Sequence, residues 1–256
     1  MKFSANLGFL FTELSLPDAI YAAKAAGFDA VECHWPYETS AWEVKKALNE
    51  TGLQMLGLNT KRGDVEAGDN GVAAIPGRES EARGYIEEAI SYAKKIGCKN
   101  IHIMAGFTNG GPRAEATFRE NLIFACKKAR GLTFLIEPLN HRDAPSYHLS
   151  TLDAALTTIR SVGAPNLKVM FDCYHVQIMQ GDLLTRIKTH KDKIGHIQFA
   201  AIPDRGEPDK SEINYKWLLP EIEALGWDTP FGAEYKPRKS TKAGLRWLKT
   251  YRGLTK

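Results

Sequence analysis

The chain has 256 residues, of which 43% are apolar and 25% are charged, and its formal net charge is +4. This composition is typical of a soluble globular protein, and the small net charge argues against a dedicated nucleic-acid-binding protein. No stretch approaches the ~18 to 20 apolar residues that are needed to span a bilayer, so we expect neither a nucleic-acid nor a membrane partner.

Short apolar runs alternate with amphipathic segments along the whole chain. The first helical pattern, "DAIYAAKAAG", ends on Gly27; two later ones are "ESEARGYIEEAISYAKKIG" and "STLDAALTTIRSVG", the last with a Ser/Thr cap and a terminal Gly163. The apolar runs predict eight strands: Phe3–Asn6, Ala30–Cys33, Gln54–Asn59, Asn100–Met104, Thr133–Glu137, Leu167–Asp172, Ile194–Gln198 and Phe231–Glu234.

Eight strands that alternate with helices in about 250 residues predict a (β/α)₈ TIM barrel, which we expect to be a single domain over residues 1–256. The alternative is an open doubly wound sheet. Such a sheet usually has a Gly-rich phosphate loop after its first strand, and the segment "NLGFLF" has none. The segment from Thr60 to Gly77 shows no helical pattern, and its length predicts a functional loop, with closure over the site as one option.

The carboxyl ends of the strands meet on one face of such a barrel, where the active site lies. Eight polar residues stand at these ends: Asn6, Glu32, Asn59, His102, Glu137, Asp172, Gln198 and Glu234. For any one of them, a strand end that simply meets water is the alternative. The last four are one βα repeat apart, so three carboxylates and one amide oxygen should face a common point. A divalent cation relieves the repulsion between such carboxylates, and oxygen ligands favour Mg²⁺ or Mn²⁺.

Further polar residues stand close to the predicted strand ends. His175 could bind a substrate oxygen or act as an acid/base group, or else cap a helix. Arg205 could bind a substrate carboxylate through two hydrogen bonds, or form a surface salt bridge. His102 and Lys236 are weaker candidates for substrate binding. Glu32 could equally be a buried acid that pairs with a nearby base.

Several segments resemble the hydroxypyruvate isomerase family of xylose isomerase-like barrels: "FSANLGFLFTE", "AAIPGRE", "IEPLNH", "FDCYHVQ", "HIQFA", "RGEPDKSEINY" and "AEYKP". The resemblance runs from Phe3 to about Gly253. It implies interconversion of hydroxypyruvate and tartronate semialdehyde (2-hydroxy-3-oxopropanoate). It also implies that Glu137, Asp172, Gln198 and Glu234 bind the metal, with the two glutamates transferring the proton. Close relatives act on 2-oxo-tetronates, and these motifs do not separate the two substrates.

The chemistry of an aldose–ketose isomerisation agrees with this implication. A divalent ion that contacts two substrate oxygens can stabilise the enediolate, while Glu137 and Glu234 flank the substrate and move its proton. A neutral ketose isomerase or epimerase is an alternative on the same site. An abasic-site endonuclease would need more His and Asp ligands and a basic DNA-binding face. A non-catalytic binding module would not explain the convergent carboxylates.

Four cysteines are spread along the chain without a C-x-x-C pair: Cys33, Cys98, Cys126 and Cys173. This distribution predicts neither a disulfide framework nor a structural zinc site, and it favours the cytoplasm. We interpret Cys173 as a packing residue. Near the C-terminus, "GLRWLKTYRG" has aromatic residues that we expect to be exposed, which is weak support for a homo-oligomer.

Overall fold

A single sheet of parallel strands forms the centre of the computed structural model, which describes residues 1–254. The strands are β1 Phe3–Asn6, β2 Ala30–Glu32, β3 Gln54–Met55, β4 Gly57–Asn59, β5 Asn100–His102, β6 Thr133–Ile136, β7 Leu167–Asp172, β8 Ile194–Phe199 and β9 Phe231–Ala233. Their order in the sheet is β3-β2-β1-β9-β8-β7-β6-β5-β4.

The two ends of this order, β3 and β4, are separated in the chain by Leu56 alone. β3 pairs with β2 and β4 pairs with β5, so the sheet returns on itself as a barrel. The predicted strand over residues 54–59 is therefore split in two at Leu56, whose backbone N–H still donates to the carbonyl of Val31 at 2.7 Å. The TIM barrel prediction is confirmed, with strand ends that differ from the predicted ones by at most two residues.

Helices surround the barrel and connect its strands. They are α1 Leu16–Ala26, α2 Ala41–Thr51, α3 Glu79–Ile96, α4 Pro112–Lys128, α5 Leu152–Val162, α6 Cys173–Met179, α7 Leu183–His190, α8 Tyr215–Ala224, α9 Thr241–Gly244 and α10 Arg246–Arg252. The predicted ends of α1 and α5 are confirmed, since Gly27 and Gly163 follow them with φ of 92° and 67°. Thr151 caps α5 by accepting a hydrogen bond from the backbone of Ala154.

The aromatic residues near the C-terminus are buried, so the expectation that they are exposed was wrong. Trp247 and Tyr251 are each 1% exposed. Trp247 packs edge-on against Phe3 of β1 and Phe199 of β8, and its indole N–H donates to Tyr235. The local pattern is typical of an amphipathic helix and does not show what covers its apolar face. In the structure, α10 packs that face against the outer surface of β1 and β8. These residues give no support to a homo-oligomer.

The segment from residue 60 to 77 contains no helix, as predicted, but much of it is fixed to the neighbouring loop. The backbone N–H groups of Ala73 and Ala74 donate to the carbonyls of Met104 and Ala105 at 3.2 and 2.8 Å. Gly71 approaches Met104 so closely that a Cβ at position 71 would lie 2.5 Å from the Met104 carbonyl oxygen. The return arm of the loop is therefore anchored, and any closure would involve only its exposed tip.

No helix within residues 1–254 is both long enough and apolar enough to cross a membrane. The four cysteines are free thiols, and all are buried. Cys173 is fully buried in the core cluster, in agreement with its interpretation as a packing residue.

Candidate active site

Four strands in sequence carry the candidate metal ligands to the same end of the barrel. Glu137 directly follows β6, Asp172 ends β7, Gln198 lies in β8, and Glu234 directly follows β9. None of the four is more than 6% exposed. They lie at the same end because the four strands run parallel. Phe199, the residue after Gln198, packs outward against Tyr215 of α8 and Trp247 of α10.

Glu234 is the most heavily bonded residue of the site. Its Oε1 accepts hydrogen bonds from the side-chain amides of Asn6 at 2.8 Å and Gln198 at 3.3 Å, and lies 3.0 Å from Nε2 of His34. Its Oε2 accepts a charge-assisted bond from Arg205 at 2.5 Å. This carboxylate is held in one orientation from four directions.

Three other oxygens at the site are buried and accept no hydrogen bond from any residue in the described part of the chain. They are Oε1 of Glu137, Oδ2 of Asp172 and Oε1 of Gln198. Buried polar atoms are almost always satisfied, and an unsatisfied acceptor costs free energy. Three such acceptors on adjacent strands fit a hard cation, which oxygen ligands would satisfy together. The residues present therefore suit a divalent metal ion.

The pKa values of the three carboxyl groups lead to the same conclusion. Burial raises the pKa of Glu137 well above its usual value, and the negative charges of Glu234 and Asp172 raise it further. Burial also raises the pKa of Asp172 to about 7, although Arg205 opposes this shift. Burial acts on Glu234 in the same direction, but Arg205 and His34 outweigh it and lower its pKa to about 2. Without additional positive charge, the three groups are not all ionised at neutral pH.

His175 contacts this group of acids but presents a proton to them. Its ligand atom lies within 4.8 Å of those of Glu137 and Asp172, so the three residues could hold a metal ion by distance alone. However, Nδ1 of His175 accepts from the backbone N–H and the side-chain amide of Asn140, at 3.0 and 2.7 Å. The amide orientation is fixed, because Oδ1 of Asn140 accepts from the backbone of Arg142 and Asp143.

Two donors on Nδ1 require the neutral tautomer with its proton on Nε2. Burial, with the charge of Arg205, lowers the pKa of His175 well below its usual value, so the ring is neutral. Nε2 lies 3.6 Å from Asp172 and 3.9 Å from Glu137. The ring therefore offers an N–H donor at the site and has no free lone pair for a metal. Gln198, with its unsatisfied oxygen, is the better fourth ligand.

Arg205 is the cation closest to the acids. Its Nη2 contacts Glu234 at 2.5 Å and Asp172 at 3.5 Å, and its Nη1 lies 3.4 Å from Asp143. The rings of Phe9 and Tyr174 lie 5.0 and 5.1 Å from the guanidinium, within range of a cation–π interaction. Arg205 also has φ of 55°, an uncommon conformation for a residue other than glycine. The side chain of Arg205 is 13% exposed and pairs with buried carboxylates, which does not fit the interpretation as a surface salt bridge.

The remaining predicted residues take different places. Nδ1 of His102 lies 3.7 Å from Glu137, and burial lowers the pKa of His102 to about 3, so this ring is neutral. Glu32 pairs with His196 at 2.5 Å, which matches the alternative of a buried structural pair. Lys236 is exposed at the rim, where its ammonium group lies 5.8 Å from the centre of the Phe9 ring.

Two residues near the site were not identified from the sequence. His34 follows β2 by two positions, and its contact with Glu234 depends on the barrel bringing residues 200 positions apart together. Asn140 orients His175 from the loop after β6. In the sequence, the one signal for His34 and Asn140 as site residues is that each stands shortly after the end of a strand.

Comparison with known proteins is consistent with this architecture. The family model described as xylose isomerase-like TIM barrel matches residues 20–251. The 2-oxo-tetronate isomerase of Cupriavidus necator is 46% identical, covering 98% of this chain and 99% of the relative. The hydroxypyruvate isomerase of Escherichia coli is 42% identical, covering 98% of this chain and 100% of the relative.

Among solved structures, that of a family 2 AP endonuclease from Brucella melitensis is 38% identical. It superposes with a TM-score of 0.94 over 98% of each chain. The matches extend over nearly the whole chain and include the segments that carry the site. The chain therefore belongs to the xylose isomerase-like TIM barrel family, in the group of isomerases that contains the hydroxypyruvate and 2-oxo-tetronate isomerases.

Proposed function

We propose that this protein is a metal-dependent isomerase that interconverts hydroxypyruvate and tartronate semialdehyde. The observation that carries the proposal is the set of three buried, unsatisfied oxygens on Glu137, Asp172 and Gln198 beside a fully bonded Glu234. The names of the relatives from C. necator and E. coli support the reaction class.

Glu137, Asp172, Gln198 and Glu234 would hold the ion, and their oxygen donors favour Mg²⁺ or Mn²⁺. When bound, such an ion acts as a Lewis acid for the negative charge that develops on the substrate oxygens. All four ligands lie on rigid strands or directly after them, so the chain would orient the substrate with little freedom to reorganise.

The isomerisation moves one proton between neighbouring carbons and one between the two neighbouring oxygens, so that the hydroxyl proton ends on the former carbonyl oxygen. One carboxylate removes the proton from the hydroxyl-bearing carbon, which leaves an enediolate, and a protonated carboxyl group delivers a proton to the other carbon. We assign these roles to Glu137 and Glu234, which directly follow β6 and β9; β7 and β8 lie between these strands in the sheet. Arg205 and His34 hold Glu234 in place. Burial, with the charges of Glu234 and Asp172, raises the pKa of Glu137, which favours its protonated form.

His175 and Arg205 would bind the substrate. His102, beside Glu137, and Lys236, at the exposed rim, would also contribute to binding. The Nε2–H of His175 would donate to a substrate oxygen, because its other nitrogen is occupied by Asn140. The neutral ring of His102 could donate a hydrogen bond to the substrate or accept one from it, since neither ring nitrogen has a hydrogen-bond partner in residues 1–254. Lys236 would add positive charge at the rim.

A 2-oxo-tetronate is the second candidate substrate, because the C. necator relative of that name is 46% identical over almost the full length. Both acids present a carboxylate, a carbonyl and a neighbouring hydroxyl, and the site described so far would accept either. The B. melitensis relative is named as a nuclease instead. Within residues 1–254, one group of His and acidic residues is spaced closely enough for a metal ion: Glu137, Asp172 and His175. An abasic-site endonuclease would need more His and Asp ligands, so this single group favours the isomerase.

The decisive experiment is an isomerase assay on metal-stripped protein with hydroxypyruvate and 2-oxo-tetronate in parallel, before and after Mg²⁺ or Mn²⁺ is added. We expect turnover of hydroxypyruvate that depends on the added ion. Preferential turnover of 2-oxo-tetronate would select the second candidate. Turnover of neither acid, with cleavage of a duplex containing an abasic site, would overturn the proposal. We also propose that the chain forms one domain and acts on a small-molecule substrate. Its cysteines are buried free thiols, which supports a reducing compartment such as the cytoplasm.

A further inference from the structure

We infer that Arg62 is a specificity-determining residue that binds the carboxylate of the substrate. The inference rests on the proposed function and adds a residue outside the group of acids. Arg62 lies three positions after the end of β4, on the same side of the barrel as the candidate ligands. Its side chain is half-buried.

The guanidinium of Arg62 is stacked on an aromatic residue next to the site. Its central carbon lies 3.9 Å from the centre of the Trp35 ring. Trp35 is itself fixed, because its indole N–H donates to Sδ of Met104 at 3.3 Å. The same ring lies 4.9 Å from the ring of His34, which contacts Glu234. The Trp35 ring therefore lies between Arg62 and His34, and His34 contacts Glu234.

The backbone of Arg62 is also anchored. Its carbonyl accepts a hydrogen bond from Gly71 at 2.7 Å, and Gly71 forms an isolated bridge with Ala105. This places Arg62 at the base of the 60–77 loop and not at its exposed tip. A cation that is stacked and anchored in this way loses little freedom when it binds an anion.

Two neighbouring cations at this mouth, Arg205 and Lys61, are already engaged. Arg205 contacts three carboxylates, and Lys61 pairs with Glu88 at 2.9 Å. Arg62 has no hydrogen bond or ion pair from its side chain within the described residues 1–254. Lys236 is also unpaired there, but it is exposed and carries a flexible ammonium group, which binds carboxylates with less directional preference.

The formal charges of the site favour such a group. Glu137, Asp172 and Glu234 carry three negative charges when ionised, and Arg205 with one divalent ion balances them. An acidic substrate brings one more negative charge. The planar guanidinium of Arg62 can hold a carboxylate by two parallel hydrogen bonds, leaving the carbonyl and hydroxyl groups free to face the acids.

The test compares the metal-loaded wild type with Arg62→Ala and Arg62→Lys. Because the contact is made equally before and during the reaction, its loss should raise KM and leave kcat nearly unchanged. We expect KM and the calorimetric Kd for hydroxypyruvate to rise by about tenfold to a hundredfold in Arg62→Ala, since hydrogen bonds to charged groups are worth about 1.5–3 kcal/mol. Arg62→Lys should recover part of the loss.

The matched control is Arg83→Ala, which removes a guanidinium 5.3 Å from the Phe124 ring on the outer helices. It should leave KM and Kd unchanged. An unchanged KM and Kd in Arg62→Ala, or a fall in kcat alone, would overturn the inference. If the wild type binds hydroxypyruvate without converting it, the proposed function fails and the Kd values still decide the role of Arg62. If the wild type binds neither hydroxypyruvate nor 2-oxo-tetronate, both fail.

Discussion

Nε2 of His34 lies 3.0 Å from Oε1 of Glu234, and Gly8 leaves the space that the imidazole occupies. A Cβ on residue 8 would lie 2.0 Å from Nδ1 of His34, far inside van der Waals contact. The absence of a side chain at one loop residue thus permits the position of a histidine, and the histidine helps to orient a carboxylate of the site.

We therefore predict that Gly8→Ala displaces His34 and lowers turnover about tenfold or more, the effect of losing a hydrogen bond to a charged group. Steady-state kinetics on purified protein would measure it. The matched control is Gly84→Ala in α3, where a Cβ would meet nothing within 4 Å. That change should keep full activity and stabilise the helix by about 0.5–1 kcal/mol. Equal activity in both variants would refute the role of Gly8.

Replacement of either glutamate of the proposed pair should nearly abolish catalysis. General acid–base groups contribute roughly 10²–10⁴-fold, so Glu137→Gln and Glu234→Gln should each lower kcat at least about a hundredfold. The exposed Glu13 lies in the loop after β1, and Glu13→Gln is the control. Thermal unfolding of all three variants would separate lost chemistry from lost folding. Near-normal turnover of both site variants would remove the pair from the mechanism.

Metal binding should depend on Asp172 and not on His175. In Asp172→Asn the acceptor Oδ1 that caps α6 through Tyr174 is retained, while the negative charge is lost. We expect this variant to lose most of its bound ion after dialysis. His175→Gln should keep the ion but lower activity, because Nδ1 of His175 is occupied by Asn140. Metal content measured by elemental analysis tests both, and equal loss in the two variants would contradict the tautomer argument.

The cysteines should resist thiol reagents in the native protein. Burial raises the pKa of Cys33 and Cys173 well above the usual value, and raises those of Cys98 and Cys126 to about 12 and 11. Since the thiolate is the reactive form, alkylation at pH 8 should be slow until the chain is unfolded in denaturant, when all four react. Mass spectrometry counts the modified thiols. Rapid native modification of Cys173 would show that its segment opens.

Much of the architecture follows from local pattern alone. Alternation of apolar runs with amphipathic helices predicts a parallel sheet, because neighbouring parallel strands need a crossover connection. Eight such repeats in a chain of this length favour the closed barrel over an open sheet. Gly27 and Gly163 end their helices through backbone conformation, which is a local property. Successive spacings of one βα repeat were enough to place Glu137, Asp172, Gln198 and Glu234 at the same end of the barrel. The assignment of these residues to metal binding and proton transfer stays a prediction.

Other features depend on contacts between distant parts of the chain. Trp247 is buried because α10 lies on β1, nearly the full length of the chain away, and no local pattern distinguishes that face from an open one. The tautomer of His175 is set by Asn140, and the orientation of Glu234 by His34, Asn6 and Arg205. The sequence by itself determined the barrel and which oxygens reach its mouth. Only the tertiary structure decided which of them are left unsatisfied and how the neighbouring side chains are oriented, because burial and hydrogen-bond partners arise when the strands close.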